Sequence, residues 1–315
     1  MRTLTRPSPP RSDQYVFHDL GGGVTFGEAR PEGTALSNTG IVDLGEATLV
    51  FDTSLTLGTA REIRAASKSL TGRFPALAAN SHWHLDHVLG NQIFADGPIY
   101  ATRRTAEILV ETRAALEKEI GPESLEAEIR DFETKLRAAK SDEDRAALAV
   151  VLRINRAILA EVVEIRLTAP SATFESELAL PGPKDARLVT FGAGHTESDA
   201  LLHLPKLGIV FAGDLVVSKR HPNLASGDPE HWLEVLDRID GLRPERVGVG
   251  HGPLGSAETV AEMRDYLRTV LEFARATTPP EIPHRFRAWP EPDRFAANVE
   301  IARRLIGAQR PGPGS

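Results

Sequence analysis

Two blocks of short apolar runs flank a long helical stretch, and their spacing predicts the elements of the chain. In the first block, β-branched and apolar residues fall between glycines and other turn residues, which is typical of short strands. Those strands are predicted at residues 24–26, 35–43, 48–52, 76–80 and 98–101. One helix is predicted over residues 56–70, where Ile63 and Ala66 have helical spacing and Gly72 ends the pattern.

The character of the chain changes over residues 103–167. This stretch is rich in Ala, Leu, Glu, Lys and Arg and has few β signals. Breaks at Gly121-Pro122 and Ser141-Asp142 predict three helices. The third helix has apolar positions on several faces, so we expect more than one neighbour to bury it.

Strand patterns return after Pro170. They predict strands at 173–180, 187–191, 200–204, 208–212 and 246–249, and helices at 230–239, 257–276 and 293–306. Two blocks of strands, each followed by helices, predict an α/β fold. We expect a four-layer αββα sandwich, in which two packed sheets carry helices on both outer faces.

The domain organisation follows from these elements. We expect residues 15–310 to form one domain, with a helical insertion at about 103–167 and a helical extension at about 256–308. Residues 1–14 are expected to be a flexible lead-in, and the tail at 311–315 to be disordered.

Composition narrows the class of protein. Hydrophobic residues make up 41% and charged residues 26% of the 315 residues, as in ordinary globular proteins, and the net charge of −7 disfavours nucleic acid as a partner. The absence of cysteine excludes disulfides, thiolate metal ligands and cysteine nucleophiles. No apolar run approaches the ~18 residues that span a bilayer, and the polar N-terminus lacks the apolar core of a secretory signal. We therefore expect a cytoplasmic protein that does not insert into a membrane.

Histidine and aspartate are concentrated in one segment, Ser81-His82-Trp83-His84-Leu85-Asp86-His87. Alternate side chains of an extended backbone point the same way, so His82 and His84 can converge on one point. Asp86 and His87 follow where the chain is expected to turn into a helix, and they can aim at a second point nearby. Imidazole and carboxylate are suitable ligands for zinc, and also for iron or manganese.

Three further candidate ligands follow predicted strands. His195 lies in a Gly-Ala-Gly-His-Thr turn, Asp214 ends a Phe-Ala-Gly-Asp run, and His251 lies in a Gly-His-Gly turn. Glycine beside each of them allows close backbone approach or a positive φ.

These four elements, in this order and spacing, resemble the metallo-β-lactamase superfamily over about residues 35–255, apart from the helical stretch. The resemblance implies two metal ions, expected to be Zn²⁺ with iron or manganese as alternatives. It assigns His82, His84 and His195 to the first ion, Asp86, His87 and His251 to the second, and Asp214 to a bridge between them. Such a set leaves open positions for water and substrate.

The same resemblance implies a hydrolase. A hydroxide that bridges the metals attacks the electrophilic atom of the substrate, and Asp86 orients it as the catalytic residue and relays a proton. Asp52 matches an early aspartate of the family that supports the metal loop from behind, although an ordinary turn aspartate is the alternative. Thr196 and Asp199 have a comparable supporting role or a local cap or turn role.

Other charged and imidazole side chains are less clearly assigned. Lys219, Arg220 and His221 follow Asp214 and are candidates to meet an anionic substrate, with a solvated basic loop as the alternative. The remaining histidines have no comparable context, and we expect ordinary core or surface positions for them. They are His18, His203, His231 and His284.

The expected substrate is a small-molecule ester, thioester, lactone or lactam. The zinc β-lactamases of the family usually lack an aspartate at the position of Asp214 and are generally exported. The sequence is therefore more similar to glyoxalase II and the lactonases than to true zinc β-lactamases. The basic C-terminal substrate residues of glyoxalase II are not recognisable, which leaves a glutathione thioester in doubt.

Other activities of the same fold remain open. A phosphodiesterase, nuclease or sulfatase needs the same metals, and the acidic balance disfavours the nuclease. A diiron redox protein of the family usually has glutamate where this chain has His84, and it carries a flavodoxin domain. A complete ligand set argues against a non-catalytic scaffold.

The helical insertion is longer than the plain fold needs. We favour a lid that covers the substrate, packed near the site through its apolar last helix. A homodimer interface, or an insertion that touches no substrate, is the alternative.

Overall fold

The computed structural model describes residues 10–276 and 278–309. The chain divides into two compact units, with the boundary between Phe174 and Glu175. Most of the lead-in predicted at 1–14, and all of the tail predicted at 311–315, lie outside the described residues. The expectation of one domain over residues 15–310 stays a prediction.

The first unit contains a seven-stranded sheet in which the spatial order follows the chain. Its strands are β1 Tyr15–Asp19, β2 Val24–Ala29, β3 Thr39–Asp43, β4 Thr48–Phe51, β5 Leu77–Ala79, β6 Ile99–Thr102 and β7 Ala172–Phe174. Pairing is antiparallel from β1 to β4 and parallel from β4 to β7. Every residue of β4 is buried, as expected for a strand that is covered on both faces.

Helices follow the strands of the first unit. They are α1 Leu57–Thr71, α2 Leu85–Val88, α3 Arg103–Glu111, α4 Arg113–Glu119, α5 Pro122–Ala138 and α6 Asp142–Glu161, with a 3₁₀ helix at Leu89–Phe94. Thr56 and Thr59 form a capping box at the start of α1, and Gly72 ends it at φ 77°. The insertion has four helices rather than the predicted three, because the chain also breaks at Thr112.

The insertion and the rest of the first unit share one apolar cluster. Leu116, Leu125 and Ile158 of the insertion are buried in it together with Leu57 and Val88. Partly buried Trp83 and Leu85, from the segment with the histidines, pack against the same cluster. The insertion is therefore part of the core behind that segment.

Two polar contacts add to this packing. The Glu161 carboxylate at the end of α6 accepts hydrogen bonds from the backbone N–H groups of Leu57 (2.7 Å) and Gly58 (2.8 Å) at the start of α1. The Arg153 guanidinium donates to the carbonyl oxygens of Gly33 (3.1 Å) and Pro31 (2.6 Å) in the loop between β2 and β3. Helix α6 thus contacts two other parts of the first unit.

The second unit has a five-stranded sheet in the order β12-β11-β10-β9-β8. Its elements are β8 Glu177–Ala179, β9 Arg187–Gly192, β10 Asp199–Leu204, β11 Ile209–Gly213, α7 Pro229–Gly241, β12 Arg246–Val249, α8 Ala257–Arg275 and α9 Asp293–Gln309, with 3₁₀ helices at Pro205–Leu207 and His284–Phe286. Among these five strands, β11 and β12 pair in parallel, and the other neighbours pair antiparallel. The strand predicted at 173–180 is two strands, β7 and β8, one in each sheet.

Among the described residues, no helix combines the length and the apolar character that crossing a membrane requires.

Candidate metal centre

In the first unit, the candidate ligands lie between β5 and the 3₁₀ helix. The backbone at His84 is extended (φ −62°, ψ 143°) before α2 begins. The Nε2 atom of His82 and the Nδ1 atom of His84 lie 3.0 Å apart. Nitrogen atoms at this separation are close enough to be ligands of one ion.

Asp52 supports this segment from the end of β4. Its carboxylate accepts hydrogen bonds from the Ser81 N–H (2.7 Å) and hydroxyl (2.8 Å), and it contacts His87 Nδ1 at 2.9 Å. The Ser81 hydroxyl in turn contacts His82 Nδ1 at 2.9 Å. A partner at Nδ1 orients each ring and leaves Nε2 as the atom that can bind a metal.

Asp86 and His87 lie together on α2. The Oδ2 atom of Asp86 and the Nε2 atom of His87 are 3.4 Å apart. The Ser37 hydroxyl donates a hydrogen bond to the Asp86 carbonyl oxygen, which anchors this turn to the chain before β3. A carboxylate and an imidazole are thus presented side by side.

Sequence reasoning did not identify the buried amides beneath the segment. Asn80 and Asn91 donate to each other's side-chain oxygen (3.0 and 2.9 Å), and Asn80 also donates to the His87 carbonyl oxygen at 3.1 Å. Thr53 donates to the same carbonyl oxygen through its N–H (2.9 Å) and its hydroxyl (3.1 Å). In the sequence, the position of Asn80 two residues before His82 is the feature that could have indicated a supporting role.

In the second unit, one carboxylate lies between two histidines. The Oδ2 atom of Asp214 is 3.5 Å from His195 Nε2 and 3.3 Å from His251 Nε2. The three residues follow β9, β11 and β12, whose carboxyl ends share one edge of the sheet. All three side chains are buried.

Backbone space is restricted around Asp214. A Cβ atom added at Gly250 would lie 1.9 Å from Asp214 Oδ1 and 2.7 Å from the Gly213 carbonyl carbon. Only a residue without a side chain fits there, so the glycine before His251 serves close approach.

Thr196 and Asp199 form a local network behind His195. The Asp199 carboxylate accepts hydrogen bonds from the Thr196 N–H (3.0 Å) and hydroxyl (2.9 Å). Burial raises the pKa of Asp199 to about 7, so this carboxyl group titrates near neutral pH.

The three basic candidates after Asp214 contact the C-terminal elements. Lys219 Nζ lies 2.8 Å from a Glu262 carboxylate oxygen, and the Arg220 guanidinium lies 3.6 Å from that of Glu291. The His221 ring is buried, and its Nδ1 atom is 3.0 Å from the Tyr266 hydroxyl. Contact with a substrate stays a prediction for all three.

The donor chemistry fits a metal site. Each of the seven candidate ligands belongs to a group of histidine and aspartate side chains that could hold a metal ion. Imidazole and carboxylate donors of this kind suit zinc, iron and manganese.

Comparisons with known proteins identify the family and the fold of the chain. The model of the metallo-β-lactamase superfamily matches residues 33–251, more than half of the chain. A hydroxyacylglutathione hydrolase of Erythrobacter litoralis is 38% identical over 53 residues, which are 17% of this chain and 21% of that protein. The chain thus spans about a fifth of the length of this curated relative.

Solved structures share the fold at low sequence identity. A metallo-β-lactamase of Pontibacter korlensis has a TM-score of 0.58 and 17% identity, covering 81% of this chain and 99% of its own. The mono-zinc form of FIM-1 from Pseudomonas aeruginosa has a TM-score of 0.57 and 17% identity, covering 83% and 98%. A metallo-β-lactamase of Erythrobacter litoralis has a TM-score of 0.57 and 16% identity, covering 82% and 98%.

The predicted α/β sandwich fold is confirmed by these likenesses. The family match covers both the His-x-His-x-Asp-His segment and the three ligands of the second unit. The chain belongs to the metallo-β-lactamase superfamily.

Proposed function

We propose that the protein uses two metal ions to hydrolyse a small-molecule ester, thioester, lactone or lactam. His82, His84 and His195 would hold the first ion, Asp86, His87 and His251 would hold the second, and Asp214 would be shared by both. Two Zn²⁺ ions are proposed, with iron or manganese as alternatives.

The observation that carries the proposal is the position of Asp214. One of its carboxylate oxygens lies within 3.5 Å of the Nε2 atoms of two histidines, His195 and His251. The proposal assigns these histidines to different ions. A carboxylate that bridges two ions has to lie between ligands of each, and the position of Asp214 between these two histidines supports the proposal.

The chemistry of the centre divides between metals and protein. When bound, two divalent cations lower the pKa of water and polarise the substrate oxygen. Asp86 accepts the proton of the attacking water and transfers it to the leaving group as the acyl bond breaks. Asp52 and Ser81 hold the rings of His82 and His87 in their binding tautomer.

Two features help to choose among the proposed substrate classes. Asp214 stands where the zinc β-lactamases usually lack an aspartate, which favours an activity of the glyoxalase II or lactonase kind. The curated relative is named a hydroxyacylglutathione hydrolase, and its short match supports keeping thioesters among the candidates.

Location and assembly belong to the proposal as well. We propose a cytoplasmic location. A homodimer through the insertion stays a prediction, and light scattering of the purified protein tests it.

Metal analysis of the purified protein tests the centre directly. We expect about two equivalents of metal per chain. The protein is then assayed with a lactone, a thioester, a β-lactam, a phosphodiester and a sulfate ester. We expect turnover of the lactone or the thioester. Turnover of only the phosphodiester or the sulfate ester would replace the proposed substrate class.

The variant Asp86→Ala tests the proton-transfer role. We expect at least about a hundredfold loss of turnover with the fold retained, because general acid–base catalysis contributes that much. Asp96→Ala is the matched control, since Asp96 pairs with Arg64 on the surface of the same unit. Full activity of Asp86→Ala would reject the role of Asp86. Protein that binds no metal would reject the centre.

A further inference from the structure

The start of helix α7 contacts two of the three ligand loops of the second unit, those of His195 and Asp214. We infer that His231 and Trp232, in the first turn of α7, are positioning residues that fix His195 and Asp214 relative to each other. The inference rests on the proposed function, and it names residues that no sequence motif indicates.

Trp232 contacts both loops at once. Its side chain is fully buried, and its indole N–H donates a hydrogen bond of 3.0 Å to the carbonyl oxygen of Leu215, the residue after Asp214. Its ring packs edge-on against the His195 imidazole, with the ring centroids 5.5 Å apart at 65°. The same side chain therefore sets the backbone at one ligand and the ring at another.

His231 holds the backbone before His195. Its Nδ1 atom lies 2.6 Å from the Ala193 carbonyl oxygen, to which a protonated Nδ1 donates. The N–H of Asp228, the N-cap residue of α7, donates to the Gly194 carbonyl oxygen at 3.0 Å. Two successive carbonyl groups of the loop are thus fixed by the beginning of one helix.

The packing leaves the loop little freedom to shift. A Cβ atom at Gly194 would lie 2.5 Å from Leu215 Cδ2, and one at Gly227 would lie 2.4 Å from the Gly194 carbonyl oxygen. Gly194 in the loop of His195 therefore lies against the Leu215 side chain on one side and against the residues just before α7 on the other. A displacement of α7 has to move at least one of the two ligands.

This geometry matters because metal affinity depends on ligand placement. A donor set has to be held within about 0.5 Å of the binding geometry, and losing an outer partner typically costs about 10–100-fold in metal affinity. Trp232 and His231 are such partners for the ligands in the second unit.

The substitution Trp232→Phe tests the indole contact with Co²⁺ as the probe metal. Phenylalanine keeps an aromatic ring but cannot donate to the Leu215 carbonyl oxygen. We expect the apparent Co²⁺ affinity to fall at least about tenfold, with an altered visible spectrum of the bound ion. Circular dichroism and Tm of the metal-free protein report the fold separately.

Trp289→Phe is the matched control. Trp289 is buried in the same unit and stacks on Tyr266 in an aromatic cluster. We expect a comparable loss of Tm and an unchanged Co²⁺ affinity and spectrum. If Trp232→Phe binds Co²⁺ as the wild type does, or if both variants weaken binding equally, the role of Trp232 is rejected.

His231 provides an independent test, because it is only half-buried and its replacement is milder. His231→Asn keeps an N–H near the position of Nδ1, whereas His231→Leu removes it. We expect the asparagine variant to keep the wild-type Co²⁺ affinity and the leucine variant to lose about tenfold. Equal affinities in the two variants would reject the role of His231. A wild-type protein that binds no Co²⁺ would instead reject the proposed function, and the inference with it.

Discussion

Single residues decide whether the candidate ligands can approach each other. Asp52 orients His87 and the Ser81 backbone, while Gly250 leaves room for the Asp214 carboxylate. Neither residue is a proposed ligand. Both determine where a ligand atom lies. A substitution at either position therefore changes the geometry of the centre without removing a metal ligand.

Gly250→Ala should displace Asp214. The new methyl group would meet a carboxylate oxygen and the backbone of Gly213 and Asp214, so the Asp214 carboxylate or its backbone has to shift. We expect at least about a tenfold loss of Zn²⁺ affinity, measured by competition with a chelator.

Gly241→Ala is the control for that substitution. A Cβ atom at Gly241, in α7, meets nothing within 4 Å. We expect it to leave Zn²⁺ affinity unchanged and to stabilise the helix by up to about 1 kcal/mol. Equal Zn²⁺ affinity in the two alanine variants would contradict the crowding at Gly250.

His221 shows how burial controls a charge. Burial lowers the pKa of His221 from its ordinary value to about 4, and the ring is enclosed by Tyr266, Trp289 and Phe295. The folded protein therefore binds this proton less well than the unfolded chain does. The contribution of His221 to the stability of the folded protein is complete above pH 6.5, and it is lost as the pH falls towards 4.

His221→Gln should flatten the pH dependence of stability. Between pH 7 and pH 5, the wild type should lose about 2 kcal/mol of unfolding free energy more than the variant does, from the difference between pKa 6.5 and about 4. Urea unfolding of the metal-free proteins at several pH values measures this difference. His284→Gln, at an exposed histidine, should keep the wild-type slope. Parallel curves for all three proteins would contradict a buried neutral His221.

The sequence indicates the candidate metal ligands better than the residues that position them. His82, His84, Asp86 and His87 are adjacent in the chain, so their pattern is visible without a structure. Supports such as Trp232 and His231 act by hydrogen bonds to backbone carbonyl groups, those of Leu215 and Ala193. Carbonyl groups are common to all residues, so no residue pattern reveals such contacts.

At the scale of elements, the insertion and helix α1 depend on each other. The Glu161 carboxylate at the end of α6 receives two N–H groups from the first turn of α1. These groups have no partner within their own helix, and the positive end of the helix dipole favours a carboxylate. Docking of α6 thus stabilises a helix outside the insertion.

Glu161→Gln should weaken that contact. We expect a loss of about 1–2 kcal/mol in the free energy of unfolding, because a charged acceptor becomes neutral. Glu164→Gln is the control, since Glu164 forms an exposed ion pair with Arg61, for which we expect less than about 0.5 kcal/mol. Urea denaturation measures both. Equal losses would mean that the carboxylate at Glu161 has no special role at α1.

The element boundaries show where sequence patterns are insufficient. The β12 strand agrees with its prediction at both ends, because turn residues flank a short apolar run. The strand β1 was not predicted, since only one face of Tyr15–Asp19 is buried and the run is short. The turn between β7 and β8 was missed because β-favouring residues lie on both sides of Glu175 and Ser176.

For the whole molecule, metal binding should be coupled to stability. The proposed ligands come from several elements, and the unfolded chain does not hold them together. Ions that bind only the folded protein stabilise it by mass action.

Zn²⁺ should therefore raise the Tm of metal-free protein. At a free concentration of about 100 times Kd the gain is ~2.7 kcal/mol, which corresponds to roughly 4 °C for a chain of 315 residues. Differential scanning calorimetry with buffered Zn²⁺ measures the shift. Mg²⁺, which prefers oxygen ligands, serves as the control and should have a much smaller effect. A Tm that does not respond to Zn²⁺, iron or manganese would contradict the proposed centre.

The contact of Arg153 with the carbonyl groups of Pro31 and Gly33 has a practical consequence for protein engineering. Deleting the insertion here would remove the donor of those two carbonyl groups, and transplanting it into a related enzyme would leave Arg153 without these acceptors. The recipient would need the turn before β3 as well, so both pieces have to be exchanged as one cassette.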